Sequence, residues 1–224
     1  MKTKFLIDPK VEAENIPKLL KLAGRRVLFP PFAKRIINKK GKKLYKEIYE
    51  IHKENKKEIK KLKITSKSSW KKIEKDYTNE MEKLTGHKLI QNKSCYFAPT
   101  INGIADIKGR KNVFVGMGFN KDTLKYIIPH ELTHLHYTDI LYKAKLYEAG
   151  KSPLMEGVNH LILFKTPIKN LIKSNIEYPC LNFVQQNHNF MKDLEKAWEK
   201  RKDFTSFLKE AIKIQRKNKN IKHC

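Results

Sequence analysis

The stretch that decides the fold of this chain is Ile127-Ile128-Pro129-His130-Glu131-Leu132-Thr133-His134. Its His-Glu-x-x-His pattern puts His130 and His134 on one face of a helix, about one turn apart. Both imidazoles can therefore bind one metal ion, and neutral imidazole is a good ligand for Zn²⁺. Glu131 lies beside the first histidine, where its carboxylate can accept a proton from water and pass it to a leaving amine. The motif predicts a metal site with its own general base.

Apolar periodicity around the motif predicts a helix from about 122–123 to about 147–149. The positions that recur at helical spacing are Leu124, Ile127, Ile128, Leu132, Leu135 and Ile140. Pro129 predicts a bend directly before His130, and Gly150 and Pro153 end the segment. The alternative is an ordinary helix with incidental histidines, because three fixed positions also arise by chance.

A catalytic zinc site needs a third protein ligand and keeps one position open for water. The candidates after the motif are His136, Asp139, Glu148, Glu156 and His160. His136 lies about 200° round the helix from His134, and Asp139 is also off the face. Glu156 is the best candidate, because it begins a second helical segment that can return a carboxylate to the metal. His160, one turn later, can hydrogen-bond a ligand histidine or simply pack, and Asn159 is a weaker candidate.

Short apolar runs before the motif predict a small sheet. Leu89-Ile90 and Cys95-Tyr96-Phe97-Ala98 are typical of strands, and Pro99 ends the second run. The runs 104–107 and 112–115 flank a Gly-containing turn and predict a hairpin. We expect an extended substrate to pair with the strand near Val113–Val115 by backbone hydrogen bonds.

The motif helix and its surroundings carry a family resemblance. His130-Glu131-Leu132-Thr133-His134 followed by Glu156-Gly157 resembles the gluzincin metalloproteases, the thermolysin-like group whose third ligand is a downstream glutamate. With the hairpin, the chain looks most similar to predicted zinc-dependent proteases of bacterial type. The resemblance covers roughly residues 95–162. It implies His130, His134 and Glu156 as zinc ligands, Glu131 as general base and a peptide or protein substrate.

The chain departs from the thermolysin-like pattern at three places. The gap of 22 positions from His134 to Glu156 is slightly longer than in thermolysin. Thermolysin-like enzymes have an aspartate one turn after the ligand glutamate, where this chain has His160. The downstream tyrosine or histidine that steadies the oxyanion is not identified by spacing, and both Tyr178 and His188 are available.

The N-terminal part is predicted to be helical and basic. A charged helix from about position 41 is interrupted at 64–69, and a further helix runs from 70 to about 85. Ser68 or Ser69 would cap that helix, and Gly86 would close it. The C-terminal region is also predicted to be helical, with an apolar stripe that belongs to the core. The stripe comprises Met191, Leu194, Trp198, Phe204, Phe207, Leu208 and Ile212.

The net charge is +26, from 49 basic and 23 acidic residues, and it is unevenly spread. Residues 34–75 hold 17 basic and 5 acidic residues (+12), whereas residues 95–165 hold 9 and 6 (+3). Such a basic region suits nucleic acid, anionic lipid or an acidic substrate. Solvated lysine-rich helices are the simpler interpretation. No Gly-rich or RNA-reading aromatic pattern is present, so the nucleic-acid signal is electrostatic alone.

The sequence composition also limits the cellular compartments in which we expect the protein. No apolar run approaches the roughly 20 residues of a membrane span, and charge and proline interrupt the N-terminus too early for a secretory signal. Three widely separated cysteines, Cys95, Cys180 and Cys224, argue against a disulfide framework and favour a reducing, cytoplasmic location.

These observations predict an α+β protein. Residues 1–86 form a helical basic part, and residues 87–224 form a zincin-like core of a small sheet and two active-site helices with C-terminal helices, or the two parts form one continuous domain. The predicted function is zinc-dependent peptide-bond hydrolysis. The alternative is a basic nucleic-acid-binding protein with structural zinc or none.

Overall fold

The computed structural model describes residues 2–89, 92–147, 153–172, 181–218 and 220–221. Its strands are β1 (Thr3–Leu6), β2 (Lys93–Phe97), β3 (Ile104–Ala105) and β4 (Asn112–Val115). Its helices are α1 (Pro9–Ala23), α2 (Pro30–Ile36), α3 (Gly41–Glu54), α4 (Lys56–Thr85), α5 (Lys121–Lys143), α6 (Leu154–Phe164), α7 (Ile168–Ile172), α8 (Leu181–Gln186), α9 (His188–Glu199) and α10 (Phe204–Lys217). The fold is α+β, as predicted, and mostly helical.

The four strands form one mixed sheet in the order β1-β2-β4-β3. β2 runs parallel to both of its neighbours, and β3 runs antiparallel to β4. The predicted hairpin is confirmed, with Ala105 opposite Val113. The prediction of a strand at Leu89-Ile90 is wrong at Leu89, whose backbone N–H instead bonds the Glu82 carboxylate of α4 at 2.9 Å. Ile90 lies outside the described residues.

The sheet separates two apolar cores, because alternate side chains of a strand point to opposite faces. Cys95, Phe97 and Val113 are buried in the core that contains α4 and α5. Tyr96 and Phe114 face the other core, which is built from the first three helices. The motif helix therefore lies on one side of the sheet, and the basic N-terminal helices α1–α3 cover the other.

Strand β1 is absent from the sequence prediction, and it ties the first residues into the sheet. Phe5 pairs with Cys95, so strands from both the 1–86 and the 87–224 segments share one sheet. The indole N–H of Trp70 donates to the hydroxyl of Thr3 at 3.1 Å, which fixes α4 against β1. A four-residue strand that is stabilised by partners so distant in the chain has little local signal.

The predicted interruption at 64–69 is wrong. α3 ends earlier, at Asn55, and α4 then continues unbroken through 64–69 to Thr85, where Gly86 at φ 69° ends it as predicted. Ser66 and Trp70 are almost completely buried on the core face of this helix. Serine disfavours a helix interior by only about half a kcal/mol, so burial of the apolar face outweighs that preference.

α5 contains the whole motif and continues through Pro129. The Asn120 side chain caps it by accepting from the backbone N–H groups of Asp122 and Thr123, at 3.0 and 2.9 Å. The helix ends at Lys143, earlier than predicted. The reason is a turn with Lys145 at φ 58°, in which Leu146 N–H bonds back to Leu141 O at 2.8 Å.

The predicted C-terminal stripe is confirmed as core, since its residues are buried between α9, α10 and the rest of the larger cluster. Cys95 is a free, buried thiol, and Cys180 and Cys224 lie outside the described residues. None of the helices described is both long enough and apolar enough to cross a membrane.

Candidate metal centre

The two motif histidines face each other on α5. Their Nε2 atoms are 3.0 Å apart, and the rings are nearly perpendicular at 88°. His130 and His134 are only 6% and 5% exposed. Helical spacing therefore produces the predicted convergence of the two imidazoles.

Glu156 completes a cluster of three donors from the first turn of α6. Its Oε1 lies 3.4 Å from His134 Nε2, and its Oε2 lies 3.9 Å from His130 Nε2. Metal bonds of roughly 2.0–2.1 Å in a tetrahedron require donor atoms about 3.3 Å apart. The Nε2–Nε2 distance of 3.0 Å and the distance of 3.4 Å from Oε1 to His134 Nε2 are close to that value, whereas the 3.9 Å separation involves the second carboxylate oxygen. The cluster could hold a metal ion, and Glu156 is the sequence candidate that the structure brings to the two histidines.

The close packing of α6 positions that carboxylate. Leu154, Val158 and Leu161 are fully buried on the core face of the helix. A Cβ at Gly157 would lie 2.6 Å from the Leu194 side chain of α9, so the glycine permits α9 to approach closely. In the Glu-Gly pair, Glu156 thus supplies the candidate ligand, and Gly157 permits the close packing that holds α6 in place.

Asn159, rather than His160, contacts the ligand histidines. Its side-chain amide donates to His130 O at 3.2 Å and lies 3.1 Å from His134 Nε2, and the residue is 1% exposed. The His160 ring instead stacks on Phe164 with centroids 5.2 Å apart. The low ranking of Asn159 is therefore wrong. Residues three and four positions after Glu156 both lie near its helix face, so spacing alone does not separate them.

Tyr126 is a site residue that has no counterpart in the sequence prediction. Its hydroxyl lies 2.6 Å from His130 Nδ1, and the residue is buried. Coordination through Nε2 requires the ring proton on Nδ1, which can then donate to the tyrosine oxygen and fix the ring. Helical spacing in the sequence could have identified this residue, because Tyr126 lies one turn before His130 on the same face.

Glu131 lies beside the cluster and is buried. Its Oε1 is 4.0 Å from His130 Nε2. Burial raises the pKa of this carboxyl well above its usual value, the nearby Glu156 raises that pKa further, and a hydrogen bond from the Ala105 backbone opposes the shift. A carboxyl that favours its protonated form in this way is suited to receive and hold a proton.

Both ligand histidines are held neutral. Burial lowers the pKa of His130 well below its usual range, and the proximity of His134 lowers it further. Burial also lowers the pKa of His134, against the opposing influence of Glu156. Neutral imidazole is the form that binds a metal, so the site is electrostatically prepared for one.

Helix α4 supports the motif from behind. The hydroxyl of Thr133, inside the motif, donates to Pro129 O at 2.8 Å. The oxygen of that threonine hydroxyl also lies 2.8 Å from the Tyr77 hydroxyl. Tyr77 is completely buried. The long helix therefore fixes the back of α5 and, through it, the positions of the histidines.

The remaining sequence candidates lie elsewhere. His136 is buried on the far side of α5, with its ring centroid 6.1 Å from that of Tyr77. Asp139 forms an ion pair with the buried Lys93 at 2.6 Å. His188 is exposed at the start of α9. Glu148 and Tyr178 lie outside the described residues.

The expectation that a substrate pairs with Val113–Val115 is wrong, because β4 already has a neighbour on each side. β2 pairs with it along 112–115, and β3 pairs with Val113 and Phe114. β3 is the edge strand, and within the described residues it pairs only with β4. Its Ala105 is also the residue whose backbone contacts Glu131.

Comparisons with known proteins identify no relative: no family model, no curated protein and no solved structure matches this chain.

Proposed function

We propose that this chain is a zinc-dependent peptidase of gluzincin type, with a zincin-like core formed by the sheet, α5 and α6. One observation carries the proposal: three donor atoms of His130, His134 and Glu156 converge at metal-binding separations beside the buried carboxyl of Glu131. A metal site alone would explain the donors. The adjacent carboxyl with a raised pKa supports hydrolysis.

The donor set favours zinc. Two imidazole nitrogens and one carboxylate oxygen are ligands that Zn²⁺ accepts, and three protein donors leave a coordination position for a reactant. A structural zinc site would be closed by a fourth protein ligand, and the cluster among the described residues has three members. A zinc ion held there would supply a Lewis acid that polarises a carbonyl group and lowers the pKa of water to about 7.

The chain's own residues would move the proton. Glu131 accepts a proton from water as the water oxygen attacks the peptide carbonyl carbon, and it donates that proton to the nitrogen as the C–N bond breaks. The Ala105 backbone N–H holds the Glu131 carboxylate in place. Tyr126 fixes the His130 ring through Nδ1.

The edge strand suggests where an extended peptide would lie. β3 is the edge strand of the sheet in the described part of the chain. Its Ala105 has the N–H bonded to Glu131 and the C=O bonded by Ile107 N–H at 3.0 Å, so a peptide would lie beside β3 without ladder bonds at this residue. Because Ala105 contacts Glu131, a peptide in that position would pass close to the general base, and β3 replaces β4 as the strand beside the substrate.

The test is metal content combined with peptidase activity in three proteins. Wild type, purified with zinc present, should contain one zinc per chain and cleave a peptide library. Glu156→Gln should lose the metal and the activity, whereas Glu131→Gln should keep the metal and lose about 10²–10⁴-fold in turnover. Glu199→Gln, at an exposed position on α9, is the matched control and should behave as wild type. Wild-type turnover in Glu131→Gln, or a zinc-free wild type, would refute the proposal.

A further inference from the structure

One face of α3 is basic and carries two exposed tyrosines. The exposed residues at steps of three or four along it are Lys42, Tyr45, Lys46, Tyr49 and Lys53. Tyr45 and Tyr49 are 42% and 51% exposed, and their ring centroids are 6.4 Å apart. The opposite face of α3 is buried against the smaller core by Leu44, Ile48 and Ile51. Burial on one side thus leaves lysines and tyrosines together on the other.

A second row of exposed lysines lies along α4. Asn55 separates the two helices with φ −106° and ψ 21°, and it accepts from Ile59 N–H at 3.0 Å while its own N–H bonds Ile51 O at 3.1 Å. The two rows are therefore adjacent segments joined at one non-helical residue. On α4 the exposed residues at the same spacing are Lys56, Lys60, Ile64, Lys67, Lys71 and Lys75. We call these exposed residues of α3 and α4, from Lys42 to Lys75, the basic stripe.

The positive charge of the basic stripe is not neutralised by neighbouring acids. Glu47 and Glu54 of α3 lie off the stripe and pair with Arg35 of α2, both at 2.7 Å. Between residues that the structure describes, no ion pair involves a lysine of the stripe. The surface therefore presents a row of cations to solvent.

We propose that the basic stripe binds single-stranded nucleic acid. Its part on α4, from Lys56 to Lys75, extends about 29 Å at a rise of about 1.5 Å per residue, long enough to follow several phosphates, and the part on α3 adds to that length. Lysines would contact the phosphates, and the exposed tyrosine rings would stack on bases. One base inserted between two rings needs about 6.8 Å, twice the roughly 3.4 Å rise of stacked bases. The Tyr45 and Tyr49 centroids, 6.4 Å apart, are close to that spacing, and their planes are inclined at 35°, so one exposed ring must turn to enclose a base.

The exposed side chains favour a polynucleotide over the other polyanions. A helix that lies on a lipid surface buries a large apolar face, but the apolar faces of α3 and α4 are turned into the protein. Of their large apolar side chains, Tyr45, Tyr49 and Ile64 are the exposed ones. A duplex would occupy the lysines but hide its base faces from the tyrosines. A single strand uses both kinds of residue.

The experiment measures fluorescence anisotropy of a labelled 16-nucleotide single strand with the full chain over a series of salt concentrations. Lys60→Gln/Lys67→Gln/Lys71→Gln removes three stripe charges, and Lys192→Gln/Lys196→Gln/Lys209→Gln removes three exposed charges from α9 and α10 as the matched control. We expect the stripe variant to bind more weakly and its log–log salt slope to fall by about 2, at about 0.7 per lost phosphate contact. The control should retain the wild-type slope.

A second variant tests the stacking. Tyr45→Leu/Tyr49→Leu should weaken single-strand binding about tenfold and leave the salt slope unchanged, and it should remove the preference for single strand over duplex of equal length. Circular dichroism melts confirm folding of each variant, since all the altered side chains are exposed. No binding by wild type at low salt, equal losses in the stripe and control variants, no effect of the tyrosine changes, or tighter binding to anionic vesicles than to the oligonucleotide would each overturn the proposal. Metal-free protein should bind equally, so this result is independent of the peptidase proposal.

Discussion

This chain has two groups in which histidine and carboxylate side chains meet, and the two differ in how their hydrogen-bond donors and acceptors are matched. In the first, Glu12 Oε2 lies 2.5 Å from His52 Nε2, while Glu12 Oε1 accepts from both the backbone N–H and the hydroxyl of Thr100. Every contact there joins a donor to an acceptor. It connects α1, α3 and the end of the sheet, and its carboxylate is 1% exposed.

In the second, the candidate metal centre, the Nε2 atoms of two neutral histidines and the Glu156 carboxylate meet. The Nε2 atoms are 3.0 Å apart, and they lie 3.4 and 3.9 Å from the two carboxylate oxygens. The Asn159 amide lies 3.1 Å from His134 Nε2, but the acceptors outnumber this donor, and such a group suits a cation or a shared proton. The Glu12 group, in which donors and acceptors are matched, therefore has the features of a structural hydrogen-bond network. The His130 group, in which acceptors are in excess, has the features of a candidate ion-binding site.

The largest expected effect separates the two groups by stability. His52→Ala leaves the Glu12 carboxylate buried without its imidazole partner, and we expect it to lower the free energy of unfolding by about 3–5 kcal/mol. Metal content should not change. Urea denaturation and metal analysis of the same sample measure both quantities, and His188→Ala at an exposed position is the control. Loss of metal in folded His52→Ala would remove the distinction between the two groups.

A smaller effect, on zinc affinity, is expected from a change of Tyr126 at the candidate metal centre. Tyr126→Phe keeps the ring but removes the oxygen 2.6 Å from His130 Nδ1. We expect zinc affinity to fall by about 10–100-fold, as for other partners of ligand histidines, with little change in stability. Competition with a zinc chelator measures the affinity. Tyr142→Phe, at a 40% exposed tyrosine on the same helix, should leave the affinity unchanged, and an equal loss in both would contradict the role of Tyr126.

The smallest effect concerns pH. Burial, and then the nearby Lys93, lower the pKa of His136 well below its usual range, so this residue stays neutral in the folded protein. The unfolded chain takes up a proton below about pH 6.5, and stability therefore falls as pH decreases. His136→Phe should reduce that fall by about 1.4 kcal/mol per pH unit below about 6.5. The raised pKa of Glu131 acts in the opposite direction in both proteins and cancels in the comparison.

Denaturation of the metal-free wild type and His136→Phe at several pH values measures this difference. Parallel stability curves for the two proteins would show that His136 is protonated in the folded state as well. The variant keeps an aromatic ring against Tyr77, so the packing change is small beside the titration effect.

Local periodicity predicted the parts of the site that depend on one helix. The i, i+4 spacing determines that His130 and His134 share a face, and the break before Glu156 predicted the second helix. The hairpin of β3 and β4 followed from two short apolar runs around a turn. The order of the strands was not predictable, because the pairing of β2 with both β1 and β4 joins segments with no local relation.

The sequence by itself determined the residue types and spacing of the candidate metal centre: two histidines one turn apart, an adjacent glutamate and a downstream glutamate. The tertiary structure decided which neighbours complete it, with Tyr126 and Asn159 beside the histidines and Ala105 beside Glu131. It also decided that α4 runs unbroken past Ser66 and that the exposed tyrosines lie among the lysines. The physical reason is that helical spacing is a local property, whereas burial depends on surfaces brought together from distant parts of the chain.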